Sequence, residues 1–292
     1  MAMTFFPSGP LEEVDNSARS TASGSGASLA APQTIELSDG RHVLVWSIAD
    51  DPSEPSRVYA QFLDAEGQLE GSRLAIAEGA YLSGVTATSN GGFIASWQGG
   101  LTQAFSAAGQ PTTDVRDLTM GLAVSLTTLA DGRVVAAFAE DLVLKVQFLT
   151  DTLQPLGLPL DVATGVSGVV DLASLNDGGF AVAFKANWQI ASIKFDAEGT
   201  AGLRVQHGVP DGSGEGEDDY RSLRSNNPTI AANGDDGYVV AWTETLFEYD
   251  GKGSLNFDEQ VKAQRVDADG GAVGAAFVVN TSDTGGFVAP TI

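Results

Sequence analysis

Five times along this chain a glycine-bearing turn leads into an apolar strand that ends on an aromatic residue, and a repeat of this kind constrains architecture more than any single motif. The copies run from Asp39-Gly40 to Trp46, Asn90-Gly91-Gly92 to Trp97, Asp131-Gly132 to Phe138, Asp177-Gly178-Gly179 to Phe184, and Asp236-Gly237 to Trp242. Their aromatic ends lie 51, 41, 46 and 58 residues apart. That range brackets the roughly forty to forty-five residues of a four-stranded propeller blade and leaves room for insertions. A second strand follows each aromatic and closes in another turn: Gln61-Phe62-Leu63 before Asp64-Ala65-Glu66-Gly67, Ile193-Lys194-Phe195 before Asp196-Ala197-Glu198-Gly199, and Gln264-Arg265-Val266 before Asp267-Ala268-Asp269-Gly270. Copies two and three are weaker, with Gln103-Ala104-Phe105 before Ser106-Ala107-Ala108-Gly109 and Val146-Gln147-Phe148 before Asp151. With one strand before the first turn and a closing strand such as Ala276-Phe277-Val278-Val279-Asn280, each copy holds four strands.

The pattern within the strands selects the architecture. Tyr238-Val239-Val240-Ala241-Trp242, Phe180-Ala181-Val182-Ala183-Phe184 and Val43-Leu44-Val45-Trp46 are unbroken apolar runs, whereas a half-exposed antiparallel sheet alternates. Strands wedged between two neighbouring sheets need no polar face, as in radially packed blades. The expectation is an all-β protein, a β-propeller of five blades with four antiparallel strands each; the alternative is a β-sandwich or an open repeat array. Residues 1–31 read as a partly ordered N-terminal segment and 32–292 as one propeller domain. Its repeats are 32–79, 80–120, 121–165, 166–225 and 226–289, with a tail at 290–292. Ala289-Pro290-Thr291-Ile292 echoes Ala31-Pro32-Gln33-Thr34-Ile35 and Asn227-Pro228-Thr229-Ile230, so the tail is either a closing strand or the start of a further unit. Trp46, Trp97, Phe138, Phe184 and Trp242, ending buried runs, are expected in the core.

Charge narrows the partners. Thirty-eight acidic against 15 basic residues give a net charge of −23, which repels phosphate backbones and anionic lipid, so neither nucleic acid nor membrane insertion is expected and the chain reads as a monomer. There is no cysteine, which removes disulfides and Cys-ligated zinc. The opening Met1-Ala2-Met3-Thr4-Phe5-Phe6-Pro7 has neither the basic nor the long apolar region of a secretory signal.

Copy five, with Asp236-Gly237-Tyr238-Val239-Val240-Ala241-Trp242, then Ala263-Gln264-Arg265-Val266-Asp267-Ala268-Asp269-Gly270, then Phe277-Val278-Val279-Asn280-Thr281, resembles a bacterial propeller-like repeat of exported and cell-surface proteins. Such repeats often stand beside calcium-binding RTX segments and adhesin-type domains. The resemblance covers residues 32–292, strongly in copies one, four and five, and implies a secreted or cell-surface protein of a Gram-negative bacterium, exported by a type I route without an N-terminal signal. It departs from those neighbours in one respect: Asp211-Gly212-Ser213-Gly214-Glu215-Gly216 is not an RTX nonapeptide, so no calcium-stacked roll is expected.

Three insertions, at residues 49–57, 205–225 and 244–259, fall on the same end of such a ring and hold 13 of the 38 carboxylates in 46 of the 292 residues. Clustered carboxylates with intervening glycines suit calcium, which takes several oxygen ligands on a tightly curved backbone. Asp211, Glu215, Glu217, Asp218, Asp219 and Asp250 are the candidate ligands, and calcium the candidate cofactor. The competing reading is a solvated acidic loop, since the Asp-x-Asp-x-Asp-Gly spacing is missing. Trp188, which interrupts the copy-four hairpin loop, and Tyr220, Phe247 and Tyr249, which sit in the acidic insertions, form a candidate ligand face able to stack on a sugar ring; packing within the loops is the alternative.

No nucleophile elbow, phosphate loop or dinucleotide fingerprint occurs, and His42 and His207 have no partner at metal-ligand spacing. The reading is therefore a non-catalytic propeller module of an exported protein, a spacer or a platform for a glycan or protein surface. The alternatives are a carbohydrate-binding lectin and a propeller glycoside hydrolase or lyase built on paired carboxylates.

Overall fold

The computed structural model describes residues 32–48, 55–118, 124–208, 212–215, 220–249 and 255–280, and every regular element in them is a β-strand. Two compact units result, Met1–Gly121 and Leu122–Ile292. In the first unit, β1 (Gln33–Glu36), β2 (His42–Ile48), β3 (Arg57–Leu63) and β4 (Leu69–Glu78) form blade one; β5 (Leu82–Ala87), β6 (Phe93–Trp97), β7 (Leu101–Phe105) and β8 (Arg116–Asp117) form blade two. In the second, β9 (Ser125–Thr128), β10 (Val134–Glu140), β11 (Val143–Leu149) and β12 (Leu160–Thr164) form blade three. Blade four is β13 (Val166–Ser174), β14 (Phe180–Ala186), β15 (Gln189–Phe195) and β16 (Ala201–His207). Blade five has five strands: β17 (Gly212–Glu215), β18 (Tyr220–Ala232), β19 (Tyr238–Tyr249), β20 (Leu255–Val266) and β21 (Ala272–Val278). All pairings are antiparallel between consecutive strands, the up-and-down order of a propeller blade, and the fold is all-β of the β-propeller class with five blades.

Burial on both faces explains the unbroken runs. Every residue of β14 is buried, yet alternate residues serve different cores. Phe180, Val182, Phe184 and Ala186 pack with blade three, while Ala181 and Ala183 pack with Tyr238, Val240 and Trp242 of blade five. The large-small alternation of Phe-Ala-Val-Ala-Phe is therefore functional packing, with each alanine making room for an aromatic of the next blade. The same arrangement joins blades one and two through Val43, Val45, Phe62, Phe93 and Phe105. The five repeat-ending aromatics are all buried, as their sequence context predicts.

Adjacent blades are also clasped by a cation, a feature the repeat alone does not show. Arg41 lies over the Phe62 ring, 5.4 Å from its centroid, and its Nη2 donates to Ala107 O of blade two at 2.8 Å. Phe62 meets Phe93 edge-on, and Phe93 stacks on Phe105. In the second unit, Arg133 covers Phe148 at 5.0 Å and donates to Ala197 O of blade four at 2.6 Å, with Phe148 edge-on to Phe180 and Phe180 stacked on Phe195. Blades one-two and three-four thus repeat one another atom group for atom group. Between blades four and five the cation comes from another strand: Lys194 Nζ donates to Ala268 O at 2.6 Å and Asp236 O at 2.9 Å.

A glutamine three residues before the second turn closes a gap in each of four sheets. Gln61, Gln103, Gln147 and Gln264 donate from Nε2 to the carbonyl ten residues on, that of Gly71, Thr113, Gly157 and Gly274. Opposite Gln61 and Gln264 the ladder shifts register, so the side-chain amide replaces a missing backbone donor. Blade four carries the apolar Ile193 there.

Two expectations need correction. The first turn of blade five is not an Asp236-Gly237 hairpin in step with the others: it runs from Asn233 to Gly237, and Asp236, at φ 58°, holds the left-handed position that Gly40, Gly91, Gly132 and Gly178 hold elsewhere. The insertions at 205–225 and 244–259, expected as loops, contribute strand: β17 and the extended ends of β18, β19 and β20 lengthen blade five at its hairpin end. The ladder explains this, since Arg221, Glu248 and Asn256 share one row, and pairing on both sides satisfies the backbone groups of the middle strand.

Candidate functional site at the interface of blades four and five

Within the second unit, one carboxylate ties three blades together. Asp171 of β13 accepts from Ser125 Oγ of β9 (3.2 Å), from Leu172 N (3.0 Å), and through its other oxygen from Thr229 Oγ1 (2.8 Å) and Ile230 N (3.0 Å) of β18. Burial pushes this carboxyl above the usual range, and the four donors pull the other way. With every lone-pair direction in use, Asp171 is a fastener of first strands.

Further out, the interface of blades four and five holds a directed chain of hydrogen bonds. Gln264 Nε2 donates to Gly274 O, which turns its Oε1 toward His207 Nδ1 at 2.8 Å, so Nδ1 carries the proton. His207 Nε2 then accepts from Ser192 Oγ at 2.8 Å, and Ser192 accepts from Tyr238 OH at 2.9 Å. Both Ser192 and His207 are wholly buried, and burial depresses the His207 pKa below its ordinary value and raises that of Tyr238. The sequence of Ser, His and an amide imitates a nucleophilic relay, but Ser192 faces protein on all sides.

Toward the hairpin end the same interface becomes charged. Lys185, next inward-facing residue after Ala181 and Ala183, is 7% exposed; its Nζ donates to Asn226 Oδ1 at 3.1 Å and lies 5.4 Å from the Trp188 ring centroid. Trp188 is 68% exposed, at φ 66°, in a turn where Asn187 is also left-handed. That is the geometry of a type I′ hairpin, a conformation that a bulky L residue adopts at a cost. Blade two has Gly99-Gly100 in this turn and blade three Asp141-Leu142, with Leu142 also exposed. Consecutive residues tie the two apolar tips: Val166 N donates to Leu142 O, and Asn187 N to Gly165 O, both at 3.0 Å. Glu244 of β19 is 6% exposed and forms a close ion pair with Lys262 of β20 through Oε1. Among the described residues its Oε2 has no hydrogen-bond partner, and neither has Nε1 of the wholly buried Trp242, two residues earlier on the same face.

The expected ligand residues divide. Asp211, Glu217, Asp218, Asp219 and Asp250 lie outside the described residues. Glu215 ends β17 in register with Tyr220, which pairs in turn with Tyr249, so one row of blade five carries all three. Phe247 pairs with Ser222 two positions nearer the blade body and sits under the Arg224 guanidinium at 5.3 Å. Trp188 belongs to the hairpin of blade four, not to this row. Among the described residues no group of three or more His, Asp or Glu side chains is placed to hold a metal. Sequence reasoning missed Lys185, Glu244 with Lys262, and the Ser192-His207-Gln264 chain. A charged residue at an inward position of an apolar run, as in Phe-Ala-Val-Ala-Phe-Lys-Ala, is the signal by which the first could have been found.

No family model matches the chain, and no curated protein does. Among solved structures the chain is similar to a catalytically inactive virginiamycin B lyase from Staphylococcus aureus solved with quinupristin, at 13% identity over 85% of this chain and 80% of that one, TM-score 0.49. It is also similar to the Dos1 propeller, at 10% identity over 83% and 68% of the two chains, TM-score 0.47. A protein from Lactobacillus plantarum aligns at 17% identity over 82% and 79%, TM-score 0.46.

Proposed function

We propose that this chain is a non-catalytic β-propeller module of an exported bacterial protein and acts as a binding platform through the hairpin end of blades three to five. The observation that carries this reading is Trp188: a large apolar ring, 68% exposed, in a left-handed turn position and poised over the Lys185 ammonium. Strain retained at an exposed aromatic is a mark of a contact surface, because folding alone favours glycine or asparagine there. Leu142 on the neighbouring tip enlarges the patch. The Asp and Glu residues of segment 211–219 add a weak calcium site to this reading, supported by their clustering in sequence. The test is binding of the intact chain to glycan and extracellular-protein arrays, with and without calcium. Specific binding that Trp188→Ala weakens at least about tenfold, the loss of one good aromatic contact, supports the platform. Binding indifferent to Trp188→Ala, or turnover of a labelled polysaccharide, refutes it, and calorimetry without heat at millimolar calcium removes the calcium arm.

A further inference from the structure

Two asparagines of this chain precede a glycine, Asn90-Gly91 in the first turn of blade two and Asn233-Gly234 in the first turn of blade five. Such a pair is chemically labile, because glycine has no side chain to keep its backbone nitrogen away from the asparagine amide carbon. The two sites resemble one another on the electrophile side. Asn90 Oδ1 accepts from Gly92 N at 3.1 Å and Asn233 Oδ1 from Asp235 N at 3.2 Å, so each amide carbonyl is polarised by the nitrogen two residues on. They differ on the nucleophile side. Gly91 N donates to Thr88 O at 3.0 Å, the turn-closing bond that Gly40, Gly132 and Gly178 make to Leu37, Leu129 and Leu175 in the other copies. Asp236 stands where Gly91 does and, among the described residues, makes no bond of that kind, so the turn of blade five keeps only the wider bond from Asn233 N to Gly237 O. Gly234 is exposed, and among the described residues its nitrogen has no partner.

We propose that Asn233 is a site of spontaneous deamidation, whereas the same dipeptide at Asn90 is protected by its turn. Gly234 N attacks Asn233 Cγ: the N–Cγ bond forms, the Cγ–Nδ2 bond breaks, and Nδ2 leaves as ammonia with the proton that Gly234 N gives up. One water then opens the succinimide at either carbonyl, leaving aspartate or isoaspartate at position 233. At Asn90 the attacking nitrogen must first lose its bond to Thr88 O, and a hydrogen bond of ordinary net strength is worth up to about tenfold in rate. The modification reaches beyond the turn, which carries two ties to blade four: Gly234 O accepts from Asn176 Nδ2 at 3.3 Å and Asp236 O from Lys194 Nζ at 2.9 Å. Isoaspartate adds an atom to the backbone inside that turn. The far end cannot take it up, since Gly237 lies so close to Val266 O that not even a methyl group fits there. Isoaspartate at 233 therefore loosens the join of blades four and five, while aspartate keeps the backbone and adds only a charge beside Asp235 and Asp236.

The experiment incubates the intact chain, folded and urea-unfolded, in one mildly alkaline buffer and follows both dipeptides by peptide mapping with mass spectrometry. Isoaspartate is scored by enzymatic methyl transfer. The charges of Asp235 and Asp236 slow proton loss from Gly234 in either state, so each site is compared with itself unfolded. Folding is expected to slow Asn90 at least about tenfold and to leave Asn233 within about threefold of its unfolded rate. Hydrogen exchange shows the same contrast before any chemistry occurs, with Gly91 N protected and Gly234 N open. Protection of Asn233 equal to that of Asn90, or a Gly234 amide that exchanges as slowly as Gly91, overturns the assignment. For the consequence, Asn233→Asp keeps the acceptor for Asp235 N and is expected to melt near the wild-type temperature, with the isolated isoaspartate form clearly below it. An isoaspartate form that melts with wild type overturns the effect on the blade join.

Discussion

His207 offers the most direct check on how the second unit is held together. As a neutral ring it completes a one-way chain from Tyr238 through Ser192 to Gln264 and Gly274. Protonation reverses that chain: Nε2 becomes a donor, Ser192 must point its hydroxyl at Tyr238, and the buried Tyr238 O–H loses its acceptor. Burial lowers the folded-state pKa below the ordinary value near 6.5, so the unfolded chain binds the proton first. The stability that the neutral ring contributes is therefore present above about pH 6.5 and is lost as pH falls below it. The ceiling on that loss is about 2 kcal/mol at pH 5, reached when the folded ring stays neutral throughout. His207→Gln removes the titration and cannot span both partners, which costs about 3 kcal/mol near pH 7.5. Urea unfolding of both proteins between pH 7.5 and pH 5, with hydrogen exchange of the β16 and β20 amides as a local probe, isolates the effect. The other titrating groups are common to the two proteins and cancel in the difference. The gap between wild type and variant is expected to shrink toward acid by up to about 2 kcal/mol. A gap that stays constant or widens refutes the assignment of a neutral, Nδ1-protonated ring.

Two further substitutions probe the blade grammar. Gly92→Ala drives a methyl group into the Phe105 carbonyl oxygen, where backbone must move, and is expected to lose several kcal/mol in urea midpoint analysis; Gly67→Ala, at φ 81° but in open space, loses about 1 kcal/mol. Equal losses would show that space, not backbone conformation, is irrelevant at Gly92. Arg133→Met keeps the packed stem but removes the donor to Ala197 O, lowering stability by about 2 kcal/mol, and Arg41→Met should match it in the first unit. Thermal unfolding unchanged in both variants would mean that the clasp is incidental.

Much of the fold can be read from local signals. The turn residues, the unbroken apolar runs and their spacing imply antiparallel four-stranded units buried on both faces, because hydrogen-bond satisfaction and side-chain alternation are properties of neighbouring residues. The Gln61, Gln103, Gln147 and Gln264 positions were visible as part of the repeat, but their task was not, since the carbonyls they meet lie ten residues on, in the fourth strand or in the irregular connection that leads to it. Asp236 was misassigned because Gly237 beside it imitates the turn glycine of the other copies; only backbone angles separate the two.

The site was less legible. Acidic composition drew attention to the insertions, and composition cannot tell a loop from a strand whose partner lies elsewhere; in blade five residues 220–225 of one insertion pair with 244–249 of the other, which pair in turn with 255–260. Glu244 counted as one acid among many in an insertion until the fold buried it beside Lys262. By itself the sequence determined which residues turn, which run straight and which must be buried, since these depend on a few neighbours along the chain. Only the tertiary structure decided which buried charges meet across blades, which hydrogen-bond chains have a direction and which polar atoms are left without a partner, because those depend on groups separated by tens of residues and brought together by sheet packing.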